Sequence, residues 1–397
     1  MDLRHLTTDI PLKKRHRAGM VGGGKGAYFA GIHRAAMRLS NRFELVAGSF
    51  SSDVNTTREA AAALEIARER TYDDFKTMAA SEAGRADPID VAVIVTPNHL
   101  HFEPCKLFLE AGIPVICEKP LVNTSEEAFK LQEIASKNDT FFAVTYTYTG
   151  YPMVRDARAR IREGEIGEVQ FLYAEYLLEW LADDPARLGK GGIWRGDPNI
   201  AGPTGVMGDI GTHVLNMLEF VSGKRCTAVS ANLLNTKKEF GLDDTDIVQL
   251  RFHGGANGLF WCSLNAPGHR NGLKIKIIGT RGCLEWSQEA PETLHLSRLS
   301  EADLTYRRGQ RDNTPDAFSA ISLPAGNPEG YIEALANLYC DYAQALDAGP
   351  LWRRASAIPI ADLEEGIRGV ILSEVSLQSN STSQWVSFPK TNSQQLA

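Results

Sequence analysis

Residues 18–27 read AGMVGGGKGA, a short apolar run that leads directly into a loop with four glycines. A helix-compatible segment follows as far as Met37, so the loop lies between a strand and a helix. The spacing Gly22-x-Gly24-x-x-Ala27 lets a pyrophosphate approach backbone amides at the N-terminus of that helix. As the first turn of a βαβ unit, the loop predicts a dinucleotide-binding fold, with cofactor contacts from Gly22, Gly24, Lys25, Gly26 and Ala27.

The chain from residue 18 to residue 147 continues this alternation of short apolar runs and amphipathic stretches. Strands are predicted at residues 18–21, 43–50, 91–95, 114–117 and 141–145. Helices are predicted between them, including residues 55–64, 101–111 and 125–137. Strands that alternate with helices form a parallel sheet covered on both faces, so we predict an α/β Rossmann domain with a doubly wound sheet.

The sequence pattern changes after Tyr151. Strand-like runs now follow one another with glycine-containing turns between several of them, which is typical of antiparallel pairing. Such runs cover residues 168–176, 227–234, 246–253, 259–265, 273–279 and 283–287. We predict a C-terminal α+β domain with a mostly antiparallel open sheet over residues 148–379, whose last helix can pack back on the first domain. Residues 1–17 are an N-terminal extension and residues 380–397 a polar tail.

Composition excludes several classes of protein. A length of 397 residues fits two domains, because single cores rarely grow beyond ~300 residues. The net charge of −7 disfavours nucleic-acid and anionic-membrane partners, and no apolar run approaches the roughly 20 residues of a membrane span. The six cysteines lack C-x-x-C spacing, and no histidine cluster has metal-ligand spacing. We expect a soluble, cytoplasmic protein without a metal.

The end of the second predicted strand bears on the choice of cofactor. An acidic residue is common there in NAD-binding folds, but this chain has Phe50, Ser51 and Ser52 before Asp53. Ser51 with Arg58 can hold the 2′-phosphate of NADP, whereas Asp53 or a serine hydroxyl can bind the ribose of NAD. This segment therefore leaves both cofactors open.

Polar residues also follow the next two strands. The run Thr96-Pro97-Asn98-His99-Leu100-His101 can line the nicotinamide side of the cofactor, and Asn98 can also cap the next helix. The following strand ends in Glu118-Lys119-Pro120, at the sheet edge where ligands bind in such folds. A partly desolvated lysine there can exchange a proton, so Lys119 is a catalytic candidate, with a surface Glu-Lys pair as the alternative.

The segment Gly208-Asp209-Ile210-Gly211-Thr212-His213 supplies a second candidate group. If a helix starts there, Asp209 and His213 lie four residues apart on one face, and the carboxylate can orient the imidazole. A helix cap next to a surface histidine is the alternative. The presence of Lys119 at a dinucleotide-binding sheet edge favours the catalytic interpretation.

Together these motifs resemble those of the glucose-fructose oxidoreductase, inositol dehydrogenase and MocA (Gfo/Idh/MocA) family. The resemblance rests on residues 22–27, Thr96-Pro97-Asn98, Glu118-Lys119-Pro120, Trp194-Arg195 and residues 208–213, in this order, and covers about residues 18–378. It implies a Rossmann domain followed by an α+β domain whose open sheet packs subunits together.

The resemblance also implies roles for individual residues. Lys119 and His213 take part in proton transfer, and Asp209 positions His213 and the substrate. Glu118 touches the ribose or nicotinamide region of the cofactor, and Trp194-Arg195 crosses over the cofactor. NAD is the expected cofactor and NADP the alternative, because Phe50 stands where many relatives have an acidic ribose ligand.

We hypothesise a dehydrogenase or reductase that transfers hydride between the nicotinamide and a secondary alcohol of a sugar, cyclitol or related polyol. Two alternatives stay open. One is a redox-neutral NAD-dependent glycosidase that oxidises a sugar hydroxyl transiently. The other is a non-catalytic dinucleotide-binding regulator, which the joint presence of Lys119, Asp209 and His213 disfavours.

Substrate contacts are expected from the second domain and from the segments that lead into it. Aromatic rings can lie against sugar carbon faces, and polar side chains can bind hydroxyls. The aromatic candidates are Tyr146, Tyr148, Trp180 and Trp194, and the polar candidates are Arg195, Asp209, His213, Asn265, His269, Arg270 and Asn271. Trp261 is assigned to a core or a subunit interface. A bare sheet face would promote aggregation, so we expect a homodimer or homotetramer.

Overall fold

The computed structural model describes residues 15–183, 196–354 and 358–389. Its first sheet has five parallel strands, as predicted. In spatial order they are β2 (Phe43–Ser49), β1 (His16–Val21), β3 (Val91–Ile94), β4 (Val115–Glu118) and β5 (Phe142–Thr145). Every residue of β3 and β5 is buried, because helices cover both faces of a sheet of this kind.

Five helices connect or flank these strands. They are α1 (Tyr28–Ser40), α2 (Val54–Ala63), α3 (Phe75–Ala83), α4 (Phe102–Glu110) and α5 (Ser125–Lys137). The starts of α2, α3 and α5 are set by side-chain caps. Asp53, Asp74 and Thr124 each accept a hydrogen bond from the backbone N–H three residues further on, which satisfies a donor that the helix leaves unpaired.

The second sheet has nine strands and is mostly antiparallel, which confirms the predicted fold class. In spatial order they are β13 (Leu304–Arg307), β12 (Thr293–Arg298), β11 (Gly282–Ser287), β10 (Gly272–Gly279), β6 (Val169–Leu177), β9 (Asn257–Ser263), β8 (Thr245–Phe252), β7 (Cys226–Leu234) and β14 (Val386–Ser387). Only the central β6–β9 pair is parallel among the described pairings.

Further helices pack between and beside the two sheets. They are α6 (Pro152–Arg162), α7 (Pro198–Ala201), α8 (Thr212–Ser222), α9 (Pro315–Phe318), α10 (Tyr331–Ala348) and α11 (Leu363–Thr382). A π-helical turn, Met207–Gly211, leads into α8. Short 3₁₀ turns lie at Arg68–Arg70, Asn98–Leu100, Thr147–Gly150, Lys238–Phe240 and Gly349–Arg354.

Two late helices return to the first sheet, although the sequence led us to consider this only for the last one. Helix α11 packs against α5 and β5, and α10 packs along α1. Leu335 and Tyr339 of α10 share one buried cluster with Met20 and Ala30 of the first sheet and its first helix. This contact brings a segment from near the end of the chain to the glycine loop.

Two predicted boundaries need correction. Strand β1 begins at His16, because its first residues pair with Phe43 and Glu44, so the extension does not reach residue 17. The stretch after residue 379 is not a polar tail throughout, because α11 continues to Thr382 and β14 pairs with β7. The boundary between residues 147 and 148 stays a prediction. Within the described ranges, no helix is long and apolar enough to cross a membrane.

Candidate active site

A cavity of about 1000 Å³ lies at the carboxyl edge of the first sheet, where β4 and β5 end. Groups from both sheets and from several helices surround it. Its polar lining comprises Glu118, Lys119, Thr145, Thr147, Tyr148, Tyr176, Asp209, His213, Arg270, Asn271, Gln288, Tyr331 and Glu333. Ligands bind at this edge in open α/β sheets, so the cavity is the candidate active site.

The glycine loop is shaped to accept a phosphate group. Gly22 and Gly23 have φ angles of 86° and 89°, a region that side chains disfavour, and a Cβ on Gly23 would stand 2.7 Å from the Cβ of Ala30. The N–H groups of Gly22 and Gly24 each donate to a carbonyl at the end of β2, at 2.9 Å. These bonds hold the loop in place, while α1 begins at Tyr28 without a side-chain cap, which leaves its first amides for an anion.

The end of β2 is organised around the start of α2. Asp53 accepts a hydrogen bond from the Thr56 N–H at 2.7 Å, and this bond holds the pKa of Asp53 below its ordinary value. Ser51 accepts a bond from the Asp53 N–H, and Ser52 is exposed. Arg58 forms an ion pair with Asp73, with 3.4 Å between Nη2 and Oδ1. Arg58 thus has a carboxylate partner, and the joint contact of Ser51 and Arg58 with a 2′-phosphate stays a prediction.

The last residue of the segment after β3, His101, has a different role from the predicted cofactor contact. His101 is fully buried, with Nδ1 2.9 Å from the Pro120 carbonyl and Nε2 2.8 Å from the Thr96 carbonyl. It therefore ties two loops together and does not line the cavity. Asn98 begins the 3₁₀ turn and donates to the Ala201 carbonyl of α7 at 3.4 Å.

Lys119 and Asp209 meet in the cavity, although 90 residues separate them. The Nζ atom of Lys119 donates to Asp209 Oδ1 at 2.8 Å and to the Asp209 carbonyl at 2.6 Å. Asp209 lies in the π-helical turn, whose start is held by Asp243, which accepts bonds from the N–H groups of Gly205 and Met207. The sequence had paired Asp209 with His213, whereas the structure pairs it with the lysine.

His213 lies in the first turn of α8 with an aromatic surrounding. Its ring makes edge-on contacts with Tyr146, Tyr148 and Tyr176, at centroid distances of 5.6, 5.0 and 6.3 Å. Burial, and then the positive charge of Lys119, hold the pKa of His213 well below its usual value. The imidazole is therefore neutral at neutral pH and can accept a proton.

The part of the lining that comes from the second domain is polar and hydrogen-bonded. The hydroxyl of Tyr176 donates to Asn271 Oδ1 at 2.7 Å and also bonds to the Tyr148 hydroxyl. Arg270 forms an ion pair with Glu179. Trp180, for which the sequence predicts a substrate contact, also lines the cavity.

Several predicted substrate residues lie elsewhere. Tyr146 is buried against His213, because β5 directs it into the core, and it does not line the cavity. His269 and Asn265 are also outside the lining, whereas Arg270 and Asn271, two further predicted substrate residues, are part of it. The pair Trp194-Arg195 falls outside the described residues.

Other lining residues had no signal in the sequence. Tyr331 and Glu333 come from the first turn of α10, and Gln288 follows β11. The packing of α10 on α1 and on the Thr147–Gly150 turn brings its first turn to the cavity.

Comparisons with known proteins agree with this geometry. Residues 16–146 match the model of an oxidoreductase family with an NAD-binding Rossmann fold, and residues 154–285 match the model of the GFO/IDH/MocA C-terminal domain. The oxidoreductase YfiI of Bacillus subtilis (strain 168) is 34% identical over 386 residues, which cover 95% of this chain and 98% of that protein.

Two further relatives have names that state a ligand or an activity. A levoglucosan dehydrogenase of Pseudarthrobacter phenanthrenivorans is 28% identical and covers 94% of this chain, with 98% of its own length matched. The crystal structure of an inositol dehydrogenase homologue from Azotobacter vinelandii in complex with NAD⁺ superposes with a TM-score of 0.90. It is 34% identical, covering 95% of this chain and 98% of that one. The chain therefore belongs to the Gfo/Idh/MocA family of NAD-binding oxidoreductases.

Proposed function

We propose that this enzyme transfers hydride between NAD and a secondary alcohol of a sugar, cyclitol or related polyol. The observation that supports this best is the Lys119–Asp209 ion pair beside a neutral His213, in one cavity at the end of β4. The glycine loop and the uncapped start of α1 fit the pyrophosphate of NAD. When bound, NAD supplies the hydride acceptor.

The protein side chains account for the proton and the charge. His213 accepts the proton of the substrate hydroxyl, because its neutral imidazole is the available base. Lys119, held by both the carboxylate and the carbonyl of Asp209, stabilises the negative charge that develops on the substrate oxygen. Asp209 fixes the lysine in this position, and the aromatic rings around His213 exclude water from it.

The charges around the cavity favour a neutral substrate. Among the described residues, the two side chains of its lining that carry a permanent positive charge, Lys119 and Arg270, form ion pairs with Asp209 and Glu179. The carboxylates of Glu118 and Glu333 also line the cavity. An acidic or phosphorylated sugar would therefore meet additional negative charge. A relative crystallised with NADH and myo-inositol, and another named levoglucosan dehydrogenase, agree with an uncharged polyol.

The end of β2 favours NAD over NADP as the working cofactor. The carboxylate of Asp53 lies close to the site that the adenosine ribose occupies in this fold, and its lowered pKa keeps it charged. Arg58 is paired with Asp73. A 2′-phosphate would meet a negative charge at Asp53, whereas a ribose hydroxyl can donate to it.

We also propose that the second sheet packs against that of a second copy of this chain. Its outer face presents adjacent apolar side chains from three central strands, with Ile247 and Phe171 exposed and Leu259 and Trp261 half-buried. The Lys274–Glu175 ion pair on the same face supplies charges of both signs, as a self-complementary contact requires. Oligomer formation would remove this apolar surface from water.

A screen of neutral polyols and glycosides with NAD, followed through the absorbance of NADH, tests the proposed function. We expect NADH to accumulate in proportion to the polyol consumed, and inositols and anhydrosugars are the first substrates to include. Glycoside cleavage without net NADH would instead establish the redox-neutral cycle. Tight NADH binding with no turnover on the whole panel would indicate a regulator.

A further inference from the structure

A buried chain of hydrogen bonds reaches Glu118 from behind the cavity wall. His33, on α1, places Nε2 2.7 Å from Glu118 Oε1 and Nδ1 2.7 Å from the hydroxyl of Tyr339, on α10. His33 is 1% exposed and does not line the cavity, whereas Glu118 does. The three residues lie on three separate elements, so these hydrogen bonds connect α10, near the end of the polypeptide, with Glu118 at the end of β4.

The direction of these hydrogen bonds follows from the chemistry of the groups. An ionised carboxylate can only accept, so Nε2 of His33 donates to Glu118. Burial raises the pKa of Tyr339 well above its usual value, so its hydroxyl remains a neutral donor. The Nδ1 atom of His33 can then accept from the Tyr339 hydroxyl, and this hydrogen bond favours the tautomer with the proton on Nε2. Tyr339 thus prepares His33 to hold Glu118.

We propose that His33 is a positioning residue that fixes the Glu118 carboxylate at the cavity wall for contact with the bound dinucleotide. His33 holds Oε1 of Glu118, and Oε2 accepts a hydrogen bond from the Lys119 N–H at 3.3 Å, which leaves Oε2 a further lone pair for the ligand side. The helix that bears His33 begins directly after the glycine loop, so the same element positions the pyrophosphate end and the Glu118 end of the cofactor site. The inference deepens the proposed function, because it takes Glu118 to face the cofactor.

Two isosteric substitutions separate this role from simple core packing. In His33→Gln the amide nitrogen takes the place of Nε2 and can still donate to Glu118, whereas in His33→Asn it takes the place of Nδ1 and cannot reach. Both variants bury a neutral amide, so we expect similar melting temperatures. We expect His33→Asn to weaken NADH binding at least about fivefold, and His33→Gln to change it by less than about twofold.

A double-variant cycle assigns the effect to Glu118. Glu118→Gln should weaken NADH binding by a similar factor, and adding His33→Asn to it should cause no further loss. Tyr339→Phe, which keeps the ring contacts with His33 and Phe43, offers a second route if His33→Asn does not fold. It should weaken binding less than His33→Asn does, and it too should have no effect in the Glu118→Gln background.

NADH fluorescence titration measures these constants without a substrate, so the result is independent of the polyol screen. Equal binding by His33→Asn and His33→Gln would overturn the inference, as would multiplicative losses when His33→Asn and Glu118→Gln are combined. Failure of every polyol to support turnover would instead overturn the proposed function, and the comparison of NADH binding by His33→Asn and His33→Gln would still hold.

Discussion

Replacing Lys119 with methionine removes the ammonium group but keeps most of the side-chain volume. Lys119 is 11% exposed, and its Nζ makes two hydrogen bonds to Asp209. Among the described residues, the other cationic side chain of the lining, Arg270, is paired with Glu179, so none is placed to replace Lys119 at the substrate oxygen. Loss of a group that stabilises developing charge beside a general base costs about 10²- to 10⁴-fold in turnover. This corresponds to about 3 to 5 kcal/mol in the activation barrier.

The same substitution has two further consequences. Asp209 loses its cationic partner, but it is 21% exposed and partly hydrated, so we expect the free energy of unfolding to fall by only about 1 to 2 kcal/mol. The charge of Lys119 also lowers the pKa of His213, so its removal should raise that pKa. The acidic limb of the remaining activity should then move to higher pH.

The assay compares turnover of the best substrate from the polyol screen, NADH binding and thermal unfolding. Lys130→Met is the matched control, because Lys130 also forms an ion pair with a carboxylate but is exposed on α5. We expect the control to match the unaltered enzyme, and Lys119→Met to bind NADH within about threefold of it while losing turnover. Retention of more than a tenth of the turnover by Lys119→Met would refute the assigned role.

Three other predictions concern pH, the glycine loop and assembly. The folded protein holds His213 neutral, whereas the unfolded chain protonates it below about pH 6.5. The free energy of unfolding, measured with urea, should therefore fall from about pH 7 to about pH 5, and it should fall less steeply in His213→Gln. Gly23→Val should lower NADH affinity more than about tenfold, because of its φ angle and its contact with Ala30. Gly31→Ala should not lower the affinity, because a Cβ there would make only an ordinary contact, 3.9 Å from Nη2 of Arg34; a fluorescence titration of NADH measures both variants. Light scattering should show a dimer or tetramer. Ile247→Lys should dissociate this oligomer, and Gln249→Lys on the same strand should dissociate it less. A monomeric unaltered protein would contradict the proposed assembly.

Local signals allowed much of the fold to be predicted. The glycine loop, the five parallel strands and the helices α2 and α5 each depend on residues close together in the chain, where periodicity and turn chemistry are informative. The strands β12, β13 and β14 were missed. β13 and β14 are short, and β12 has only two apolar residues, Leu294 and Leu296, among polar ones. His101 was misassigned, because nothing in its sequence context distinguishes a buried link between loops from a ligand contact.

The glycine loop and the position of Lys119 could be read from local sequence, since a lysine at the end of a parallel strand must lie at the ligand-binding edge. The partners of Lys119 became visible in the folded chain alone. The Lys119–Asp209 pair spans 90 residues, and the contacts of His33 with Glu118 and Tyr339 span 85 and 306. Such contacts depend on how α10 and the π-helical turn pack, and side-chain packing between distant segments leaves no periodic pattern in the sequence. The local pattern therefore placed Lys119, and long-range packing completed the candidate site around it.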